Sequence, residues 1–196
     1  MAKYTQVNRW LRVYTPLGAD KLLLTRFEGT ERLSEAFCFR LEMVAELDTE
    51  VEFDKILGQQ ICVEIAPPRR PTRYFNGLVV SFTQVRRDDT FQYFRAKVRP
   101  KFWRLSKRRQ SRIFQQKTAP QALETVLAGV EHQPQVTAQY LPHNFCVQYR
   151  ESDFAFANRL MEEEGIYYYH EHTHDGHKLL LADASTQAKK LPGGAT

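Results

Sequence analysis

Phe37-Cys38-Phe39-Arg40-Leu41-Glu42-Met43-Val44 sets Phe37, Phe39, Leu41 and Met43 at alternate positions, with Arg40 and Glu42 between them. Successive side chains of a strand point to opposite faces, so this spacing predicts a strand with one buried and one wetted face. Working outward, Ile61, Val63 and Ile65 repeat the pattern, as do Leu78, Val80 and Phe82, and then Phe94, Ala96 and Val98. Asp88-Asp89 supplies a turn between the last two runs, while Pro67-Pro68 and Gly77 punctuate the series. Several short strands at this spacing predict a small β-barrel, because curling a sheet buries one face and limits its open edges.

The pattern changes at Thr118. Thr118 and Gln121 have capping-box spacing, Pro120 suits a first helical turn, and Leu123, Val126, Leu127 and Val130 recur at helical intervals. A second helix is expected from Ser152 as N-cap to Gly165 just past its end, with Asp153 at the positive end of the dipole and Phe156, Leu160 and Met161 as its buried stripe. Glu162, Glu163 and Glu164 lie at the unfavourable end of that dipole. Arg159, three and four residues from two of them, and neighbouring cations are expected to offset the charge. Beyond Gly165, runs over 166–172 and 178–181 flank Asp175-Gly176, a two-residue hairpin signal.

The fold class is therefore α+β, mainly β. It divides into a β-barrel domain over residues 1–100, a basic connecting segment over 101–117 and a mixed helix/strand domain over 118–196. The closing Leu191-Pro192-Gly193-Gly194-Ala195-Thr196 reads as a loop or linker.

Composition narrows the function classes. With 196 residues, 42% hydrophobic and 12% aromatic, the chain can bury a core without staples. Lys plus Arg exceed Asp plus Glu by only 28 to 23, so the position of the charges matters more than their sum. Cys38, Cys62 and Cys146 are far apart and form no CxxC pair, which argues against a disulfide framework or a thiolate zinc site and for a reducing compartment. The opening residues have no apolar signal-type core, and no stretch approaches membrane-spanning length.

Two clusters invite a chemical reading. His170, His172, His174 and His177 fall on one hairpin face if Asp175-Gly176 is the turn, and His172, His174 and His177 are the candidate metal ligands. No Cys, Asp or Glu completes that face, so the expectation is no metal and no cofactor. Lys97, Arg99, Lys101, Arg104, Lys107, Arg108, Arg109 and Arg112 form a cationic run interleaved with Phe102 and Trp103. Such a run suits a nucleic-acid groove, which makes a nucleic-acid-binding β-domain using segment 97–112 the alternative. Pro100 and the position after a strand suit a surface connection that meets a partner's acids, with Lys107, Arg108, Arg109 and Arg112 as the candidate contacts. No nucleophile elbow, P-loop, Rossmann glycine pattern or HExxH is present, and Glu162 to Glu164 point in three directions on a helix, so no enzyme is expected.

Four stretches also resemble the N-terminal region of the VgrG (valine-glycine repeat protein G) spike family of type VI secretion. They are Phe27-Glu28-Gly29-Thr30-Glu31-Arg32-Leu33-Ser34-Glu35-Ala36-Phe37, Tyr74-Phe75-Asn76-Gly77-Leu78-Val79, Ser111-Arg112-Ile113-Phe114-Gln115, and Gln148 to Asp153 continuing through Arg159-Leu160-Met161-Glu162-Glu163-Glu164-Gly165-Ile166-Tyr167-Tyr168-Tyr169. The resemblance implies a fold like the baseplate hub of contractile phage tails, whose tube-type β-barrels trimerise into a pseudo-sixfold ring. It implies a homotrimer, docking on the hexameric Hcp tube, and puncture of a target cell with delivery of effector proteins. It also implies assembly in the bacterial cytoplasm followed by secretion through the type VI system without a signal peptide. Nucleic acid is not the expected partner, and no membrane span is expected. The rest of the hub and a β-helical needle would follow Thr196, so a truncated chain is expected.

Overall fold

The computed structural model, described over residues 4–187, separates into two compact units. The first comprises the chain up to Glu31, Phe37–Pro100 and His172–His177; the second comprises Arg32–Ala36, Lys101–Glu171 and the chain from Lys178 on. One division between the units falls after Pro100, and two short segments, Arg32–Ala36 and His172–His177, belong to the unit other than that of their chain neighbours, which periodicity along the chain cannot reveal. The terminal 191–196 loop expected from the sequence lies outside the described residues.

The first unit is a six-stranded sheet built from β1 (Leu11–Tyr14), β2 (Leu23–Thr30), β3 (Cys38–Glu46), β4 (Gln60–Ile65), β5 (Arg73–Arg87) and β6 (Phe91–Arg99). The strands run in the order β1-β4-β5-β6-β3-β2, with every pair antiparallel. Phe37, Phe39, Leu41 and Met43 all face the core as the alternation predicts, and the rings of Phe37 and Phe39 stack 4.3 Å apart. Phe94, Ala96 and Val98 join them from β6, and Ile61 and Val63 from β4. The Asp88 turn also forms: its Oδ1 accepts the N–H groups of Thr90 and Phe91 at 2.9 and 2.8 Å.

One strand reads differently from its sequence. Strict alternation would put Leu78, Val80 and Phe82 on one face, but β5 carries a bulge between Val79 and Ser81, so Val79 and Phe82 enter the core. A second bulge falls between Gln84 and Arg86, and a third in β2 between Leu24 and Arg26. Each bulge adds a residue to one side of the ladder and bends the strand, which curls a sheet that would otherwise lie open.

The curl brings the outer strands β1 and β2 against each other, and Gln6 closes the seam between them. Its Oε1 accepts the N–H of Val13 at 2.8 Å and of Leu24 at 3.5 Å, and its Nε2 donates to the Val13 carbonyl at 3.0 Å. A buried side-chain amide thus does what a missing ladder would do, satisfying edge groups that solvent cannot reach.

The second unit contains a 3-10 helix over Lys101–Lys107, β7 (Arg109–Lys117), α1 (Ala119–Val126), β8 (His132–Pro134), β9 (His143–Ser152), α2 (Asp153–Glu163), β10 (Tyr167–His172) and β11 (His177–Ala182). The predicted connecting segment 101–117 is therefore structured: Phe102 and Leu105 are buried from its 3-10 turn, and β7 pairs antiparallel with β9. The short β8, not expected from the sequence, runs parallel to β11 and completes the sheet order β10-β11-β8.

Both helix starts form as their caps predict. Thr118 and Gln121 exchange the reciprocal capping-box bonds, and Ser152 accepts the N–H of Ala155. Gly165, at φ +68°, terminates α2 in the left-handed conformation that glycine tolerates best. Arg159 meets Glu163 at 3.1 Å and also Glu151 at 2.7 Å, while His143 Nε2 lies 2.8 Å from Glu164.

Gly77 tests the closeness of the first unit's packing. A Cβ there would sit 2.7 Å from Val98 Cγ1, 3.0 Å from the Arg99 carbonyl oxygen and 3.1 Å from Phe37 Cε2. Gly77→Ala is expected to destabilise the barrel by about 1–3 kcal/mol through overpacking. Denaturant unfolding checks this, and an unchanged midpoint would show that β5 and β6 have room to move.

Candidate functional site

The basic run does not act as one surface. Asp153, the first residue of α2, is fully buried, and its carboxylate receives Arg108 Nε, together with Arg112 Nη1 at 3.0 Å. Gln148, equally buried, donates Nε2 to the same carboxylate at 2.7 Å and accepts from Arg112 Nη1 at 3.1 Å. Arg108 also donates to the Val126 carbonyl at 2.8 Å, and the Asp153 N–H donates to the Arg108 carbonyl at 2.9 Å. A carboxylate taken out of water needs this density of donors, and here they tie β7, α1, β9 and the start of α2 together.

Of the four candidate contact residues, Arg108 and Arg112 are thus committed inward. Lys107 and Arg109 remain exposed, with Lys107 Nζ 5.0 Å from the Trp103 ring.

The histidines also have internal roles. The expected two-residue turn at Asp175-Gly176 is instead a four-residue loop, 173–176, closed by the Thr173 N–H on the Gly176 carbonyl at 2.8 Å. His172 and His177 end and begin their strands, so His174 does not stand opposite His177. His172 Nδ1 lies 3.0 Å from the Asn76 N–H and its Nε2 2.8 Å from Glu31 Oε1, while His177 Nδ1 lies 3.2 Å from Asn76 Oδ1. His174 turns its Nδ1 to Asp175, 2.7 Å away, and its carbonyl accepts from Asn76 Nδ2 at 3.2 Å. The ring nitrogens are engaged separately, and no group of three or more His, Cys, Asp or Glu among the described residues has the arrangement to hold a metal. Burial pushes the nearby Cys62 thiol up to about 11, against the opposing hydrogen bond from Asn76.

The feature that sequence reasoning missed is an apolar sheet face in water. Ile113 pairs with Val147 across β7 and β9, and Gln115 pairs with Phe145. Ile113, Phe145, Val147 and Tyr149 are 65, 67, 44 and 66% exposed, and Leu141, just before β9, is 78% exposed. The opposite face buries Phe114, Cys146 and Gln148. Phe145, Val147 and Tyr149 alternate with Cys146 and Gln148 along β9, and hydrophobicity alone would turn Phe145, Val147 and Tyr149 inward. The need of Asp153 for Gln148 and Arg112 fixes the opposite register, since a one-residue slip would exchange the faces. Monomeric proteins seldom leave such a contiguous apolar patch uncovered, and patches of this kind mark contact surfaces.

The comparisons with known proteins agree with a hub architecture. The profile of the family described as phage tail baseplate hub (GPD) matches residues 30–196. The type VI secretion system spike protein VgrG1a of Pseudomonas aeruginosa is 36% identical over 192 residues, which cover 96% of this chain and 30% of that protein. The chain therefore spans less than a third of this curated relative. Among solved structures, the E. coli c3393 protein, a component of the type VI secretion system with structural similarity to the T4 bacteriophage tail proteins gp27 and gp5, superposes with a TM-score of 0.81. The identity is 20%, and the match covers 91% of this chain and 51% of that one. A Francisella PdpA-VgrG complex superposes with a TM-score of 0.61 at 8% identity, covering 89% of this chain and 31% of that one. At these identities the two structures speak for the fold.

The two kinds of arginine in the basic run should separate in stability measurements. Arg108→Ala removes a charge-assisted bond from the buried Asp153 and is expected to cost about 1.5–3 kcal/mol. Arg109→Ala is expected to stay within about 0.5 kcal/mol of the parent. Equal midpoints for the two variants in urea unfolding would refute the assignment of Arg108 to the buried network.

Proposed function

Because the chain belongs to the phage tail baseplate hub family, we propose that it is a structural piece of a type VI secretion spike. It assembles with further copies of itself into a ring that caps the Hcp tube, helps puncture a target cell and delivers effector proteins. The action is mechanical, with no substrate turned over. The hub is built inside the bacterial cell and leaves through the type VI machine.

The observation that carries the reading is the uncovered face of β7 and β9. Ile113, Phe145, Val147 and Tyr149 are large, contiguous and wet, and covering them on assembly returns roughly 25 cal/mol for each Å² of apolar surface removed from water. Lys107 and Arg109, whose positions leave them exposed beside that sheet's start, serve as peripheral cations that orient an acidic partner and speed encounter rather than supply affinity.

The mass in solution tests this. Light scattering coupled to size exclusion is expected to give a concentration-dependent mass rising towards three times 23.0 kDa. Phe145→Glu combined with Val147→Glu is expected to return it to a monomer. If a chain extended to the length of its relatives stays monomeric at every concentration, assembly through this face is wrong.

A further inference from the structure

The solvent face of the first unit's sheet carries a second surface, independent of the apolar one. A groove of about 630 Å³ runs across β2, β3, β6 and β5 and is lined by four basic side chains, Arg26, Arg40, Arg95 and Lys97, against two acidic ones, Glu28 and Glu42. The register sets them in rows: Glu28, Arg40, Lys97 and Ser81 stand side by side across the four strands, and Arg26, Glu42, Arg95 and Thr83 form the next row.

Both carboxylates are already engaged. Glu28 pairs with Arg26, and Glu42 pairs with Arg95 at 3.2 Å. Arg40 and Lys97 are left directly opposite each other on neighbouring strands, and neither has an ion-pair partner among the described residues. Like charges in facing positions of a sheet repel, and Glu28, opposite Arg40 on its other side, is taken up by Arg26, so this pair keeps an excess of positive charge.

We infer that this groove holds an extended acidic segment of a partner protein, with one of its carboxylates bridging the Arg40 guanidinium and the Lys97 ammonium. Arg40 presents a planar fork suited to two-point recognition of a carboxylate, and Lys97 adds a mobile point charge beside it. Ser81 and Thr83 in the same two rows offer hydroxyls to the rest of the segment. Nucleic acid fits less well: Glu28 and Glu42 interrupt the positive potential that a continuous phosphate backbone needs, and no aromatic side chain lines the groove for base stacking. A polypeptide of alternating acidic and polar residues matches the alternation of charge.

The test uses the 196-residue chain and a fluorescein-labelled peptide of alternating Glu and Ser, read by anisotropy. Saturable binding is expected, weakening at least tenfold between 50 and 500 mM salt and at least tenfold in Arg40→Gln/Lys97→Gln, in keeping with a surface electrostatic contact. The matched exposed pair Arg70→Gln/Lys21→Gln is expected to bind as the parent does, and circular dichroism confirms that both variants are folded. Peptide binding unchanged by Arg40→Gln/Lys97→Gln overturns the assignment. So does single-stranded DNA of equal charge binding the parent as tightly as the peptide, or a fall in the parent's solution mass caused by Arg40→Gln/Lys97→Gln alone, which would make the occupant a second copy. Loss of assembly through Phe145 and Val147 leaves the peptide result unaffected, so the two surfaces are tested apart.

Discussion

A curled antiparallel sheet has to hide one face and two edges at the same time, and much of the first unit follows from that requirement. Phe37, Phe39, Phe82 and Phe94 fill the inside, stacked in two pairs. The bulges in β5 and β2 provide the bend, and Gly77 is needed where β5 passes Val98 and Phe37 too closely for a Cβ. The remaining seam between β1 and β2 is too short of ladder bonds to close itself, and the Gln6 amide supplies them. Asn76, buried on β5, extends the same logic by satisfying the backbone and rings of segment 172–177.

In the second unit a single buried charge plays the organising part. Asp153 favours the start of α2 through the helix dipole, but its burial is tolerable only because Arg108, Arg112 and Gln148 converge on it. That convergence dictates which side of β9 faces in, and so it exposes the apolar residues on the other side. The wet face of Ile113, Phe145, Val147 and Tyr149 is thus a consequence of an internal electrostatic demand, and it is the kind of surface that an assembling structural protein can use.

Local signals were legible where the physics is local. A capping box needs only Thr118 and Gln121 three residues apart, a helix stop needs Gly165, and one buried strand face needs only the alternation from Phe37 to Met43. The resemblance to the VgrG family rested on short ordered stretches, and the family match over residues 30–196 agrees with it. Within those stretches, Asn76, Asp153 and Gln148 turn out to be buried polar anchors, which explains in physical terms what such positions do in this fold.

What the amino-acid order determined by itself was the class of the fold, the helix starts and the polarity of β3, because each depends on neighbours a few residues apart. What only the tertiary structure decided was which charges are spent internally and which surfaces stay uncovered. Arg108 and Arg109 are adjacent in sequence and chemically alike, yet the first lies against a carboxylate 45 residues away and the second stands in water. A bulge at Val79–Ser81 shifts a face by one residue, and the partners of Gln148 turn Phe145 and Tyr149 outward. These outcomes depend on long-range pairing and on the cost of burying an unpaired charge, and neither is written in the spacing of the chain.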